Sequence, residues 1–263
     1  MEYIFDHARD LESHYLRSFK RLFFLDYDGT LDPHNHQRTV AIPSFKVREV
    51  LEKLASDQSN QIVIISGRKR DDLDWFNDLP VMLVAEHGGF HKNYGEKWTT
   101  FFEENTEWKN KAYSALWALT VQFDGSFIEE KHYSLTWHYG QGPKPISLKE
   151  KKEIIGAINL LPSREEFLVY DQDHAIELRT KNINKGRFAR QFIKQEKNDF
   201  IFAVGDGATD EDLFDGVGKS YFTIKVGQDV GSSARFFLAD QREVMPLLEI
   251  CVRLSQRLQG KVL

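Results

Sequence analysis

Leu22-Phe23-Phe24-Leu25 runs without a break into Asp26-Tyr27-Asp28-Gly29-Thr30-Leu31. A short apolar run bounded by turn residues reads as a buried strand. The two carboxylates then stand at its C-terminal end, the edge at which open α/β sheets bind ligands. Acids at this spacing, followed by Gly-Thr, suit a divalent cation and a phosphate together. One carboxylate can attack phosphorus while the other handles a proton. Gly29 allows the backbone to turn and approach an anion closely. The competing reading of the same residues is a solvated Asp-Gly turn.

Three further segments bear on that choice. Gln61-Ile62-Val63-Ile64-Ile65-Ser66-Gly67-Arg68 is a second buried-strand pattern, ending in a hydroxyl and a glycine. Asn184-Lys185-Gly186-Arg187 opens a helical pattern, and Ile201-Phe202-Ala203-Val204-Gly205-Asp206-Gly207-Ala208-Thr209-Asp210-Glu211-Asp212 is a third strand ending in acids. In chain order this gives a carboxylate pair, a hydroxyl, a lysine and another carboxylate cluster. That series resembles the four motifs of the haloacid dehalogenase superfamily of phosphotransferases. The resemblance implies an α/β fold: a parallel-sheet, Rossmann-like core with an inserted α+β cap.

A pass along the chain agrees with this architecture. Asp6 to Lys20 has the spacing of an amphipathic helix, as does Pro43 to Ser56 with Pro43 in its first turn. Arg70 to Asn77 reads as a short helix, and Val81-Met82-Leu83-Val84-Ala85 as a strand leading into Glu86-His87-Gly88-Gly89. Alternating strands and helices predict a parallel sheet. The pattern then changes to a hairpin over Phe90 to Trp98, a helix from Glu104 to Val121, strands at Ser126 to Lys131 and Tyr133 to Tyr139, a helix from Lys149 to Leu160, and strands at Phe167 to Tyr170 and Ala175 to Leu178. Hairpins alternating with single helices describe an antiparallel sheet with helices on one face. Residues 89–181 are therefore expected to form the cap, and 1–88 with 182–263 the catalytic core. Strands near Phe200, Tyr221 and Phe236 and a helix from Glu243 to Leu258 complete the core.

Composition narrows the partners. The formal net charge of -5 over 263 residues argues against a nucleic-acid surface. No apolar stretch is long enough to span a membrane, and Met1 to His7 lacks the apolar core of a signal peptide. A cytoplasmic setting is the expectation. The single cysteine, Cys251, sits in an apolar helical pattern and reads as a packed thiol.

The insert carries a narrower resemblance. Glu86-His87-Gly88, Gly125-Ser126-Phe127-Ile128-Glu129-Glu130-Lys131, Leu135-Thr136-Trp137-His138-Tyr139, Ala175-Ile176-Glu177-Leu178-Arg179 and Thr209-Asp210-Glu211-Asp212-Leu213-Phe214 are similar to signatures of trehalose-6-phosphate phosphatases. The resemblance implies hydrolysis of trehalose 6-phosphate through an aspartyl phosphate, with Asp26 as nucleophile and Asp28 as acid and base. Ser66 would bond the phosphoryl group and Lys185 would neutralise its charge. Mg²⁺ is the implied cofactor, held by Asp26, Asp206 and the backbone carbonyl of Asp28, with Asp210 holding a metal-bound water or a neighbouring lysine. Arg68, His87, Glu129, Lys131 and Glu177 are the expected substrate-binding residues. Trp137 and Tyr139 either stack on a sugar face or pack inside the cap. A sugar phosphate is the expected small-molecule partner, and a trehalose-phosphate synthase a further one. The alternatives are a phosphatase of another sugar phosphate, of the sucrose phosphate or mannosylglycerate phosphate type, and a non-catalytic sugar-phosphate-binding module. Two positions depart from the family pattern. Gly140 stands where Arg is usual, which either lowers affinity for the substrate or leaves another cation such as Lys144 to substitute, and Gly207-Ala208 stands where Asp-Arg is usual.

Overall fold

The computed structural model describes residues 1–33, 42–139, 145–172 and 174–260. Gly140, Lys144 and Asp173 lie outside the described residues. The chain divides into two compact units, one of Met1–Phe101 with Asn184–Leu263 and one of Phe102–Ile183.

The first unit is built on β1 (Glu2–Tyr3), α1 (Ala8–Arg17), β2 (Arg21–Leu25), α2 (Phe45–Ala55), β3 (Asn60–Ile65), β4 (Met82–Ala85) and β5 (Phe90–Lys92). In the second unit lie α3 (Trp108–Gln122), β6 (Phe127–Glu130), β7 (Ser134–His138), α4 (Leu148–Asn159), β8 (Phe167–Gln172) and β9 (Ala175–Thr180). The first unit resumes with α5 (Lys185–Gln195), β10 (Phe200–Gly205), α6 (Ala208–Val217), β11 (Phe222–Val226), β12 (Phe236–Leu238) and α7 (Val244–Leu258).

Eight strands form the first unit's sheet in the order β1-β12-β11-β10-β2-β3-β4-β5. Every pairing is parallel except β4 with β5. A parallel sheet is covered on both faces, so its strands are apolar throughout rather than alternating. β2 obeys this rule: all five residues are buried. Its period of two sends Phe23 and Leu25 into one cluster with Leu51 of α2 and Leu248 of α7. Leu22 and Phe24 enter the opposite cluster with Phe188 of α5 and Leu213 of α6. Each such side chain contributes about 1.5–3 kcal/mol when fully buried. Cys251 belongs to the first cluster, and burial pushes its thiol up to about 12. From β2 the chain moves to β3 and β4 on one side, while β10, β11 and β12 lie on the other. The C-terminal end of β2 is thus the switch point of the sheet, the place at which open α/β sheets bind ligands.

Several boundaries differ from the expectation drawn from sequence; α3, expected from Glu104, begins at Trp108. Phe90–Lys92 pairs antiparallel with β4 and extends the large sheet, with an isolated bridge between His91 and Thr99. The second compact unit accordingly begins at Phe102, not at 89. The helix expected from Pro43 starts at Phe45, because the Ser44 Oγ caps it by accepting the Val47 N–H at 3.3 Å.

The second unit is a four-stranded antiparallel sheet, β6-β7-β9-β8. Leu135 and Trp137 of β7 and Ile176 and Leu178 of β9 pack against Leu116 of α3 and Ile154 and Ile158 of α4. The opposite face is polar. Thr136 is in register with both Glu129 and Glu177, so these three residues form one row across the sheet. α4 begins with a reciprocal cap, in which Ser147 Oγ accepts the Glu150 N–H at 3.2 Å and Glu150 accepts the Ser147 N–H at 2.9 Å.

No described helix is long and apolar enough to cross a membrane.

The crossing of α5 and α6 is unusually close. A Cβ on Gly186 would lie 1.8 Å from the Asp212 carbonyl oxygen, and one on Gly216 would lie 2.5 Å from the Gly186 carbonyl oxygen. Both obstacles are backbone, so neither can yield by a change of rotamer. Gly186→Ala is expected to lower unfolding free energy by at least about 2 kcal/mol in denaturant titration. A variant within about 0.5 kcal/mol of the parent, the scatter of neutral surface changes, would refute this account of the crossing.

Candidate functional site

β2 ends at Leu25, and Asp26 follows with its N–H donated to the Val204 carbonyl at 3.1 Å. Ser66 follows β3, Glu86 follows β4 and Asp206 follows β10. Parallel strands that all end at one edge bring these side chains together although they are far apart in sequence. Lys185 opens α5, whose first turn is capped by Asn184 Oδ1 accepting the Arg187 N–H at 2.7 Å. Asp210 lies in the first turn of α6 and accepts the Gly207 N–H at 2.9 Å. A carboxylate is favoured there by the helix dipole.

The centre of the site is a buried lysine between two buried acids. Lys185 Nζ donates to Asp26 Oδ1 at 2.5 Å and to Asp210 Oδ1 at 2.8 Å. Thr30 Oγ1 donates to Asp26 Oδ2 at 3.1 Å and also reaches Asp206 Oδ1 at 3.5 Å. Carboxylate oxygens of Asp26, Asp206 and Asp210 all lie within 4.8 Å of one another. Gly205 leaves the room for this: a Cβ there would sit 2.2 Å from the Asp210 carboxyl carbon.

Three carboxylates stand close together around the Lys185 ammonium. Burial, and then the charge of Asp210, push the Asp26 carboxyl well above its ordinary value; Asp206 adds to this and Lys185 opposes it. For Lys185, burial favours the neutral amine, but Asp210 and Asp26 outweigh burial and hold the ammonium charged. Hard oxygen donors in a negative, buried cluster are the donor set that Mg²⁺ or a similar cation takes. The residues therefore fit a divalent ion.

Asp28 stands apart from this cluster. Its carboxylate accepts two bonds from Arg68, Nε at 2.8 Å and Nη2 at 2.6 Å. Such a bidentate pair fixes direction as well as distance. Arg68 is held in turn, its N–H bonding Ser66 Oγ at 3.1 Å. The adjoining turn is strained. Glu86 (φ 49°), His87 (φ 59°) and Gly88 (φ 106°) are consecutive left-handed residues. Non-glycine residues in that region cost about 1–3 kcal/mol each. The Glu86 N–H bonds the Arg68 carbonyl and the His87 N–H bonds the Ser66 carbonyl, both at 2.9 Å. The His87 ring lies against Gly67, where a Cβ would come within 2.5 Å of it.

Asp26, Asp28, Ser66, Arg68, His87, Lys185, Asp206 and Asp210 thus all belong to the first unit. Glu129, Lys131 and Glu177 belong to the second. There Glu129 faces His138 Nε2 at 3.0 Å and Lys131 Nζ at 3.8 Å, while Glu177 accepts from Gln172 Nε2 at 2.8 Å. Trp137 and Tyr139 are core residues of that unit. The sequence offers Thr30 only as part of the Gly-Thr that follows the acids; its bonds to Asp26 and Asp206 are seen in the structure. Sequence reasoning missed Lys225, whose signal is a lysine inside the otherwise apolar β11 run Phe222-Thr223-Ile224-Lys225-Val226.

A covered parallel sheet with acids at its switch point has the architecture of haloacid dehalogenase-like proteins. One such hydrolase from Bacteroides thetaiotaomicron superposes with a TM-score of 0.61 at 16% identity, covering 88% of this chain and 98% of that one. The family model for trehalose-phosphatase matches residues 24–242, and the chain belongs to that family. It is similar to the bifunctional trehalose-6-phosphate synthase/phosphatase of Thermoproteus tenax, at 34% identity over 240 residues, 91% of this chain and 33% of that protein. The chain therefore spans about a third of the length of the curated relatives it matches. Among solved structures, the C-terminal domain of C. albicans trehalose-6-phosphate phosphatase superposes with a TM-score of 0.84 at 30% identity, covering 94% of this chain and 96% of that one.

The raised affinity of Asp26 for a proton has a consequence for stability. A carboxyl whose folded value lies above its unfolded value, about 4, stabilises the fold fully below pH 4. That contribution is lost as pH rises through the folded value. Asp26→Asn removes the loss, so in EDTA its melting temperature relative to the parent should rise between pH 5 and pH 8. Each 1 kcal/mol corresponds to about 2–4 °C for a chain of this size. A difference that stays flat or falls with pH would contradict the assigned direction.

Proposed function

We propose that this chain is a Mg²⁺-dependent phosphomonoester hydrolase that converts trehalose 6-phosphate into trehalose and inorganic phosphate. The observation that carries the reading is the Lys185 ammonium held between Asp26 and Asp210, with Asp206 beside them and Asp28 separately clamped by Arg68. Uncatalysed phosphate monoesters are so slow to hydrolyse that the site must supply on the order of 20 kcal/mol or more. Splitting the reaction in two lowers each barrier.

In the first step Asp26 attacks phosphorus and the ester P–O bond breaks; Asp28, which must first leave its pair with Arg68 and take up a proton, gives that proton to the departing sugar oxygen. The product is an aspartyl phosphate. In the second step Asp28 takes a proton from water, the oxygen attacks phosphorus, and Asp26 leaves as a free carboxylate with inorganic phosphate. Ser66 donates to a phosphoryl oxygen, and Lys185 offsets the charge that develops there. The requirement for two functional carboxylates explains why one is paired with lysine and the other is kept apart on arginine. Mg²⁺ would be held by the carboxylates of Asp26 and Asp206 and the backbone carbonyl of Asp28, with Asp210 supporting the cluster, and would reduce repulsion between Asp26 and the phosphate. His87 and Arg68 line the approach to the phosphoryl group.

Sugar recognition falls to the second unit. Glu129, Lys131 and Glu177 offer charged partners for hydroxyls, and a carboxylate accepts two bonds at once. The name of the Thermoproteus relative joins synthase and phosphatase in one protein, which supports a trehalose-phosphate synthase as a partner.

Asp26→Asn keeps the shape of the side chain while removing the attacking charge. Phosphate release from trehalose 6-phosphate should fall by at least about three orders of magnitude, of the size seen when a nucleophile is removed. A folded Asp26→Asn variant with near-parental turnover would rule out the covalent route. The parent should lose activity in EDTA and regain it with Mg²⁺; full turnover in chelator would remove the metal assignment.

For specificity, the measured quantity is the ratio of kcat/KM for trehalose 6-phosphate to that for a small aryl phosphate. Glu129→Ala, Lys131→Ala and Glu177→Ala should each reduce this ratio about tenfold, since an unpaired polar group costs about 1–3 kcal/mol. Equal losses on both substrates would make these residues structural.

A further inference from the structure

Lys225 is buried in β11, in register with Gly205 of β10 and Phe237 of β12. Its Nζ donates to the Asp206 carbonyl oxygen and reaches the Gly207 carbonyl oxygen at 3.3 Å. The same peptide is gripped from its other side, where Asp210 Oδ2 accepts the Gly207 N–H at 2.9 Å. Both polar ends of the Asp206–Gly207 peptide are therefore fixed, the carbonyl by a lysine and the N–H by an aspartate.

This particular peptide needs such a hold. The residue after it is glycine, which tolerates positive as well as negative φ, so the plane can turn over at little steric cost. In the structure Gly207 has φ −93° and ψ 172°, a conformation open to any residue. A Cβ there would meet nothing closer than Asp210 Oδ2 at 3.6 Å. The glycine is thus not required by space, and the turn's geometry rests on its bonds. The Asp206 side chain is carried on the backbone whose carbonyl Lys225 holds, so loosening that peptide loosens the placing of the carboxylate beside Thr30 and Asp26.

We propose that Lys225 is a positioning residue for the divalent-cation site, fixing the Asp206–Gly207 peptide so that the Asp206 carboxylate faces those of Asp26 and Asp210. The competing role is a plain ion pair with Glu211, whose Oε1 lies 3.6 Å from Lys225 Nζ. Glu211 has firmer partners in Ser232 Oγ at 2.9 Å and the Ser233 N–H at 2.7 Å. The lysine is correspondingly closer to the carbonyls than to the acid. The inference rests on the reading of Asp26 and Asp206 as cation ligands, with Asp210 supporting the cluster.

The test is direct Mn²⁺ titration followed by electron paramagnetic resonance, with melting in EDTA as the check on folding. Loss of an outer-shell partner typically weakens metal binding 10- to 100-fold. Lys225→Met should raise the Mn²⁺ dissociation constant about tenfold or more. Lys225→Arg, which keeps the charge and the donors, should stay within about threefold of the parent. Gly207→Ala, which restricts the peptide by sterics, should recover part of the loss in the Lys225→Met background. Should Lys225→Met not fold, Lys225→Gln carries the same comparison. A folded neutral variant that binds Mn²⁺ as tightly as the parent overturns the assignment of Lys225 alone. A parent that binds no Mn²⁺ overturns the cation site and this inference together. A Glu211→Gln variant with the same loss of affinity as Lys225→Met would transfer the effect to the ion pair and also overturn the proposal.

Discussion

The Lys185 ammonium, buried between Asp26 and Asp210, is the contact on which the rest of the first unit's site depends. It ties together the end of β2, the start of α5 and the first turn of α6. Removing one partner of a buried ion pair costs about 3–5 kcal/mol, because the other charge is left uncompensated. The contact is possible only because α5 and α6 cross backbone to backbone at Gly186 and Gly216. The packing of two helices and the placing of one charge are the same feature seen at two scales.

That arrangement crowds acids together. Asp26, Asp206 and Asp210 lie close to one another, and burial makes their mutual repulsion more costly. A fold selected only for stability would replace one of these acids with a neutral residue. Retaining them is the usual trade of stability for function at sites that handle charged substrates. The second acid of the opening motif escapes this crowding. Asp28 is drawn away by the Arg68 fork, and Arg68 is in turn seated by the strained turn at Glu86-His87-Gly88. Local strain there is offset by the backbone bonds that hold Ser66 and Arg68 in place.

The second unit solves a different problem. Its sheet has one face against α3 and α4 and one face lined with polar groups. Trp137 and Tyr139, the aromatic pair that sequence reasoning offered either to a sugar or to the interior, belong to the interior. The residues between and beside them, Thr136 and His138, fall on the opposite face with Glu129 and Glu177. One face thus supplies stability while the other is left for hydrogen-bonding chemistry.

Much of this was legible in the chain itself. The apolar run before Asp26, the hydroxyl after Ile65 and the acids after Gly205 announce strand ends, because burial and turn chemistry are local properties. The succession of elements also fixed the change from parallel to antiparallel pairing. Partnership was not legible. Lys185 meets Asp26 across 159 residues, and no local pattern shows which of several acids a lysine will reach. Phe90–Lys92 reads as the arm of a hairpin, and His91 does bridge Thr99, but the same strand also pairs with β4, since strand propensity does not name every neighbour. Trp137 and Thr136 alternate as any strand requires, but which of the two faces inward was decided by the helices that cover one side. The sequence by itself determined the elements, their order and the chemistry at their ends. The tertiary structure alone decided pairing and sidedness, because both depend on contacts between segments that are distant along the chain.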